Sequence, residues 1–258
     1  MTACLFCGSE GKLSREHVAP QWIGKLFPEL SDVEYERVFQ AAGEPIETHR
    51  RPGVGLDQTV KNFCVVCNNG WMAQLEDEVK PILGPLIQDE PGPLDALAQE
   101  RIAVWAAKTI LAIGPTNLGK RAIASLELYR WVGERQIPLP GSIVWLSRYT
   151  GTEQWPVSFH HHGMVIARAD QPMPPPGSPT NGFHSILAVG SVALCVFLAD
   201  IKGGPMVEGT SSNRRVKIWP TSGDDVWWPP SEPMTSVAEL REESRQSPSG
   251  TTEPFSGT

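Results

Sequence analysis

Apolar residues recur along the chain with two different periods, and the change from one to the other divides it. Trp71, Leu75, Val79 and Ile82 are spaced by four, four and three residues. That spacing sets them on one face of a helix. Ala96 to Ile113 places Ile102, Trp105, Ile110 and Ile113 near one face of a second helix, and Arg121 to Val132 reads as a third. After Pro138 the style becomes β. Ser142 to Tyr149, Val157 to Ala169 and Phe183 to Ala199 are rich in Ile, Val, Trp, Tyr and Phe, and Arg215 to Trp219 is a last strand. Pro229, Pro230 and Pro233 interrupt the chain before a short helix, Val237 to Arg245. Asp89 to Pro93 (DEPGP) reads as a turn or short linker, and Pro172 to Pro179 as a proline-rich loop between strands. Ser247 to Thr258 is polar, with Gly, Pro and little apolar content, and is expected to be disordered. The pattern predicts an α+β protein in three parts: residues 1–88, residues 94–246 (helical, then β-rich) and a tail, 247–258.

Composition and charge narrow the class. Hydrophobic residues make up 40% of the 258 and charged residues 20%, an ordinary globular balance. No apolar stretch reaches the roughly 20 residues of a membrane span. The longest, Ile186 to Leu198, is broken by Gly190 and Ser191. The N-terminus (MTACLFCGSEGK) lacks the basic-then-apolar order of a signal peptide. The expectation is a cytoplasmic protein, in which paired cysteines stay reduced and serve as metal ligands. Net charge is −7, which does not by itself favour nucleic acid. The basic residues gather in the middle of the chain (Arg101, Lys108, Lys120, Arg121, Arg130, Arg135 and Arg148, against Glu127 and Glu134). They are either a basic region or scattered solvated charges.

The cysteines carry the clearest chemistry. Cys4-Leu5-Phe6-Cys7 and Cys64-Val65-Val66-Cys67 are two C-x-x-C pairs. Each such turn brings two thiolates onto one metal at tetrahedral angles, and two of them complete a closed four-sulfur zinc site. Gly8 permits the tight turn after Cys7, and Asn68 and Asn69 are suited to opening the helix that begins after Cys67. A loop knuckle, a hairpin and a helix-borne knuckle make a treble-clef arrangement. The alternatives are a redox C-x-x-C or buried free thiols. The 56 residues between the pairs require an insertion. Cys195, alone in an apolar run, reads as a core residue.

Between the knuckles stands Ser14-Arg15-Glu16-His17-Val18-Ala19-Pro20. Together with Cys64-Val65-Val66-Cys67-Asn68-Asn69-Gly70-Trp71, it resembles the HNH endonuclease family, whose fold is the ββα-metal finger. The resemblance covers about residues 1–85. It implies a divalent ion such as Mg²⁺ on the scissile phosphate of DNA, His17 as general base, and Glu16 and Asn68 as metal-side residues, with Asn69 a neighbouring candidate. Asn62 is the asparagine nearest the family's middle asparagine. The chemistry is coherent. Imidazole has an ordinary pKa of about 6.5 and can accept a proton from water near neutral pH. A carboxylate and an amide oxygen are hard ligands suited to Mg²⁺. Against this stand His17 as a structural histidine beside the zinc and Asn68 as a plain helix cap. The function implied is metal-dependent hydrolysis of DNA phosphodiester bonds. The alternative is a non-catalytic zinc-binding module that docks nucleic acid or protein.

Two further features remain. His160, His161 and His162 lie in a predicted strand, so alternation puts His160 and His162 on one face and His161 on the other. They read as a second metal site or as an exposed strand end. Trp219, Trp227 and Trp228, each near proline, suit either stacking on unpaired bases or packing over the core.

Overall fold

The computed structural model describes residues 3–17, 19–27, 35–40, 47–51, 59–113, 125–138, 141–151, 157–165, 172, 175, 182–199 and 211–245. In chain order these form β1 (Leu13–His17), α1 (Gln21–Gly24), β2 (Tyr35–Gln40), β3 (Glu47–Arg51), β4 (Thr59–Cys64) and α2 (Val65–Cys67). A wide π-type turn, Asn68–Met72, leads into α3 (Ala73–Ile87). Then come β5 (Gly92–Leu94), α4 (Ala96–Ile113), α5 (Leu126–Arg135), β6 (Ile143–Arg148), β7 (Val157–Met164), β8 (Gly182–Val189), β9 (Val192–Ala199), β10 (Arg215–Trp219), β11 (Val226–Trp228) and α6 (Val237–Glu243). Helix and sheet are mixed, as expected of the α+β class.

The N-terminal unit is a two-stranded antiparallel sheet followed by a helix. β1 pairs with β4 so that Leu13 lies opposite Cys64 and His17 opposite Thr59, with a bulge between Ser14 and Glu16. From Val65 to Ile87 the chain is helical apart from a kink at Gly70 (φ −96°, ψ −115°), and α3 carries Pro81 and Pro85 within it. Leu75 and Val79 are buried and Trp71 and Ile82 half-buried, which is the stripe read from their spacing.

The large sheet has the order β10-β6-β9-β8-β7-β2-β3. β2 and β3, which lie between the two cysteine pairs in sequence, pair with each other, and β2 runs parallel to β7. Phe183 to Ala199, expected as one β stretch, is a hairpin of β8 and β9 turning at Gly190 and Ser191. Every residue of β8 is buried. A strand covered on both faces need not alternate between apolar and polar residues, so the period-two signal is weak on either side of the turn.

α4 is the central helix, with every residue from Ile102 to Ile113 buried. It shares one apolar core with Phe6 and Phe63 of the N-terminal unit, with Leu128 and Val132 of α5, and with Val144, Leu146, Leu194 and Val196 of the sheet. The opposite sheet face packs Ile143, Trp145, Ile186, Cys195 and Phe197 against Met234 and Leu240.

Three boundaries differ from expectation. The DEPGP segment is only partly a turn: Asp89 takes a positive φ of 66°, but Gly92–Leu94 is a strand paired with β11. α5 begins at Leu126, because Ser125 is extended and its hydroxyl accepts the Leu128 N–H as an N-cap. α6 ends at Glu243. The expected tail, 247–258, and most of the proline-rich loop lie outside the described residues. No described helix is long and apolar enough to cross a membrane.

Candidate metal centre

Knuckle one is a tight backbone loop. The Gly8 N–H donates to the Cys4 carbonyl (2.9 Å) and the Cys4 N–H to the Ser9 carbonyl (3.0 Å). The Leu5 N–H donates to the carbonyl of Asn62 on β4 (2.9 Å), which sets the loop beside the second knuckle. In knuckle two the Cys67 N–H donates to Cys64 Sγ (3.4 Å). Phe6 stacks on Phe63 (4.5 Å between ring centres) and meets Trp71 edge-on (5.0 Å). Aromatic packing therefore fixes both loops from beneath.

These constraints bring the sulfurs of Cys4, Cys7, Cys64 and Cys67 within 4.8 Å of one another. Cys7 Sγ and Cys64 Sγ are 3.6 Å apart. A tetrahedral ZnS₄ unit with Zn–S near 2.3 Å has S···S edges of about 3.8 Å, so the donor set fits that ion. Among the described residues this is the one group of three or more Cys, His, Asp or Glu side chains close enough to share a metal. Cys4, Cys64 and Cys67 are buried, and Cys7 is exposed at the rim.

The electrostatics ask for a cation. Burial pushes the Cys64 and Cys67 thiols up. At Cys7 burial also raises the pKa, but hydrogen bonds from Ser9 and then from the thiols of Cys4 and Cys64 bring it down to about 6. One thiolate can be held by its neighbours; four cannot coexist without a positive ion at their centre.

Glu16 and His17 point to opposite sides of β1. Glu16 is buried, with Oε1 3.6 Å from the Lys108 Nζ of α4. Lys108 is fully buried and donates to Glu76 Oε1 of α3 at 2.7 Å. Burial is the first cause that pushes the Glu16 carboxyl up; Lys108 opposes it and Glu76 adds to it. His17 is half-buried at the end of β1, its Nε2 3.2 Å from the Gln21 side-chain nitrogen. An amide NH₂ only donates, so in this contact Nε2 is the acceptor.

Asn68 Nδ2 donates to Ser14 Oγ (3.0 Å) and to the Arg15 carbonyl (3.2 Å). Both amide hydrogens are thereby committed to β1, which turns Oδ1 away from that strand. Asn69 is exposed. Asn62 is half-buried in β4. The expected candidates thus separate: His17 and Asn68 attach to the same strand, whereas Glu16 joins an ion cluster on its inner face.

The other candidates are accounted for in the same way. His161 faces the α4 side, 2.8 Å from Ser185 Oγ, while His162 lies opposite His184. Cys195 is buried beside Ser147, its thiol pushed up to about 12 by burial, as suits a core residue. Trp228 is fully buried and Trp227 exposed. Arg101 pairs with Glu78 (3.0 Å), Arg148 with Asp89, and Arg135 lies over Trp131. Lys120 and Arg121 lie outside the described residues.

Lys108 and Arg130 entered the sequence reading only as members of the basic middle of the chain, and Glu76 and His184 did not enter it. Only Lys108 left a signal, as the one charged residue between Ile102 and Ile113. No family model, curated protein or solved structure matches this chain.

Proposed function

We propose that the chain is a divalent-metal-dependent endonuclease that hydrolyses DNA phosphodiester bonds. It would be built on a zinc-stabilised treble-clef, or ββα-metal, finger. The observation that carries this reading is the attachment of His17 and Asn68 to one strand of a strand–strand–helix unit. His17 ends β1, and Asn68 opens the helix and is tied back to β1 by two hydrogen bonds. Zinc would be held by Cys4, Cys7, Cys64 and Cys67 and would keep that unit folded.

In this mechanism His17 Nε2 takes a proton from water as the oxygen forms its bond to phosphorus and the leaving alkoxide departs. The Gln21 amide, which faces Nε2 at 3.2 Å, marks the direction from which that proton arrives. Gln21 is exposed, so water can replace its amide at Nε2. A bound Mg²⁺ or similar ion would offset charge on the phosphate and the leaving oxygen. Such an ion would keep several waters and bind the substrate phosphate, with Asn68 Oδ1 as the ligand the helix would offer it. Glu16 is held by Lys108 and contributes to the metal side only if that ion pair opens.

The same ion pair favours the second reading. A carboxyl group already buried beside Lys108 and an asparagine already bonded to β1 suit a non-catalytic zinc module that docks nucleic acid or protein. The two readings part on plasmid nicking by the zinc-loaded chain with Mg²⁺, Mn²⁺ or Ni²⁺. The nuclease reading expects nicking, and a loss on the order of 10²–10⁴ in rate for His17→Ala with zinc still bound. Asn68→Ala should raise the Mg²⁺ concentration required. Nicking undiminished in His17→Ala, or no nicking of any DNA form by folded wild type, gives the field to the docking module.

A further inference from the structure

We infer that α5, some sixty residues beyond the second cysteine pair, is a clamp on the first zinc knuckle, with Arg130 as its positioning residue. The inference rests on the four cysteines holding a metal. It adds a part of the centre that lies outside the cysteine motif.

The contact is built from both sides. Arg130 Nε donates to the Leu5 carbonyl at 3.0 Å. Leu5 is the residue whose N–H is already bonded to the Asn62 carbonyl of β4 at 2.9 Å. The peptide groups flanking Leu5 are thus held from two directions, between ligands Cys4 and Cys7. The Arg130 guanidinium then lies against Gly8. A Cβ at Gly8 would come within 1.7 Å of Nη1 and 2.4 Å of Cζ. Gly8 also has a φ of +77°, so its lack of a side chain serves the turn and the arginine together. The reciprocal arrangement holds one turn further along α5. A Cβ at Gly133 would lie 2.6 Å from Phe6 Cβ and 2.7 Å from the Phe6 carbonyl oxygen. Each partner therefore presents a glycine where the other is bulkiest. Tyr129 completes the contact, its ring 5.9 Å from that of Phe6 and its hydroxyl donating to the Leu111 carbonyl of α4 at 2.9 Å.

The chemistry gives the clamp a purpose. Four thiolates around a dication leave two negative charges in a largely buried centre. A guanidinium one residue from Cys7 offsets part of that charge. By fixing the Leu5 carbonyl it also holds knuckle one in the ligating conformation. Such outer partners typically change metal affinity by 10–100-fold.

The test is the rate of zinc transfer from the full-length, zinc-loaded protein to an excess of a colour-forming chelator. Arg130→Ala should release zinc about tenfold faster or more. Arg130→Lys, which keeps the charge but loses the Nε–H, should fall between Arg130→Ala and wild type. Tyr129→Phe removes the bond to Leu111 while leaving the knuckle contact, and should release zinc at the wild-type rate. If Arg130→Ala does not fold, Arg130→Lys decides alone: faster release supports the clamp and an unchanged rate overturns it. Unchanged release from folded Arg130→Ala and Arg130→Lys overturns it, and so does equal acceleration in Tyr129→Phe. A wild-type chain without zinc overturns the metal centre itself, and the clamp with it.

Discussion

His161 shows how a single residue's surroundings set its chemistry. Its Nδ1 is 2.8 Å from Ser185 Oγ, and its ring lies 6.2 Å from Phe159 and 5.1 Å from Phe183. Burial first, and then the neighbouring His162 and His184, push its pKa down to about 3. In the folded chain the ring stays neutral down to that pH, whereas the unfolded chain takes up a proton near 6.5. Stability from this group is complete above the unfolded value and is lost as pH falls towards about 3. Urea unfolding at pH 7 and pH 4.5 should therefore show a drop in midpoint. His161→Asn keeps an amide able to bond Ser185 and has nothing to titrate, so its drop should be smaller. Equal drops in the two proteins would contradict this account of His161. The alternation of His160 and His162 against His161 was legible from a period of two. The facing of His162 by His184 was not, because β8 enters from a distant part of the sequence.

At the scale of elements, the cluster of Glu16, Lys108 and Glu76 joins β1, α4 and α3 through buried charge. Removing the central cation leaves the buried Glu16 and the half-buried Glu76 without the charge that lies between them. Loss of one partner from a buried pair costs about 3–5 kcal/mol, so Lys108→Met should destabilise the fold on that scale. Glu16→Gln should behave differently, since Lys108 keeps Glu76 at 2.7 Å. The Glu16 carboxyl is pushed up, chiefly by burial. Its contribution is therefore present at low pH and lost as pH rises through its folded pKa. Chemical denaturation across pH 5 to 8 should show wild type losing stability relative to Glu16→Gln. Parallel curves would remove Glu16 from the buried cluster. α4 itself was predicted from Ala96 to Ile113 and is observed there. Its lysine was read only as one of the basic residues in the middle of the chain, part of a basic region or a scattered solvated charge, because charge ordinarily marks the wet face of a helix. Its partners belong to other elements, and no local rule finds them. The same holds for Arg130, whose partners lie in knuckle one.

At the scale of the whole molecule, the cysteine centre and the helical part share one apolar core, running from Cys4, Phe6 and Phe63 through Trp105 and Ile110 to Val144 and Leu194. The cysteines were legible because ligand spacing is local chemistry: two C-x-x-C turns state their purpose without a partner. The strand order of the large sheet was not. The parallel pairing of β2 with β7 depends on contacts between segments more than a hundred residues apart, which leave no period in either. The central claim is that Cys4, Cys7, Cys64 and Cys67 hold one zinc ion on which the N-terminal unit depends. Native mass spectrometry of the full chain, prepared without chelator in the presence of zinc, tests it most directly. The expected result is a folded chain carrying one zinc, lost together with that zinc's share of the fold when Cys64 or Cys67 is replaced by Ser. A folded wild-type chain that carries no metal, with its four N-terminal thiols free, would contradict it.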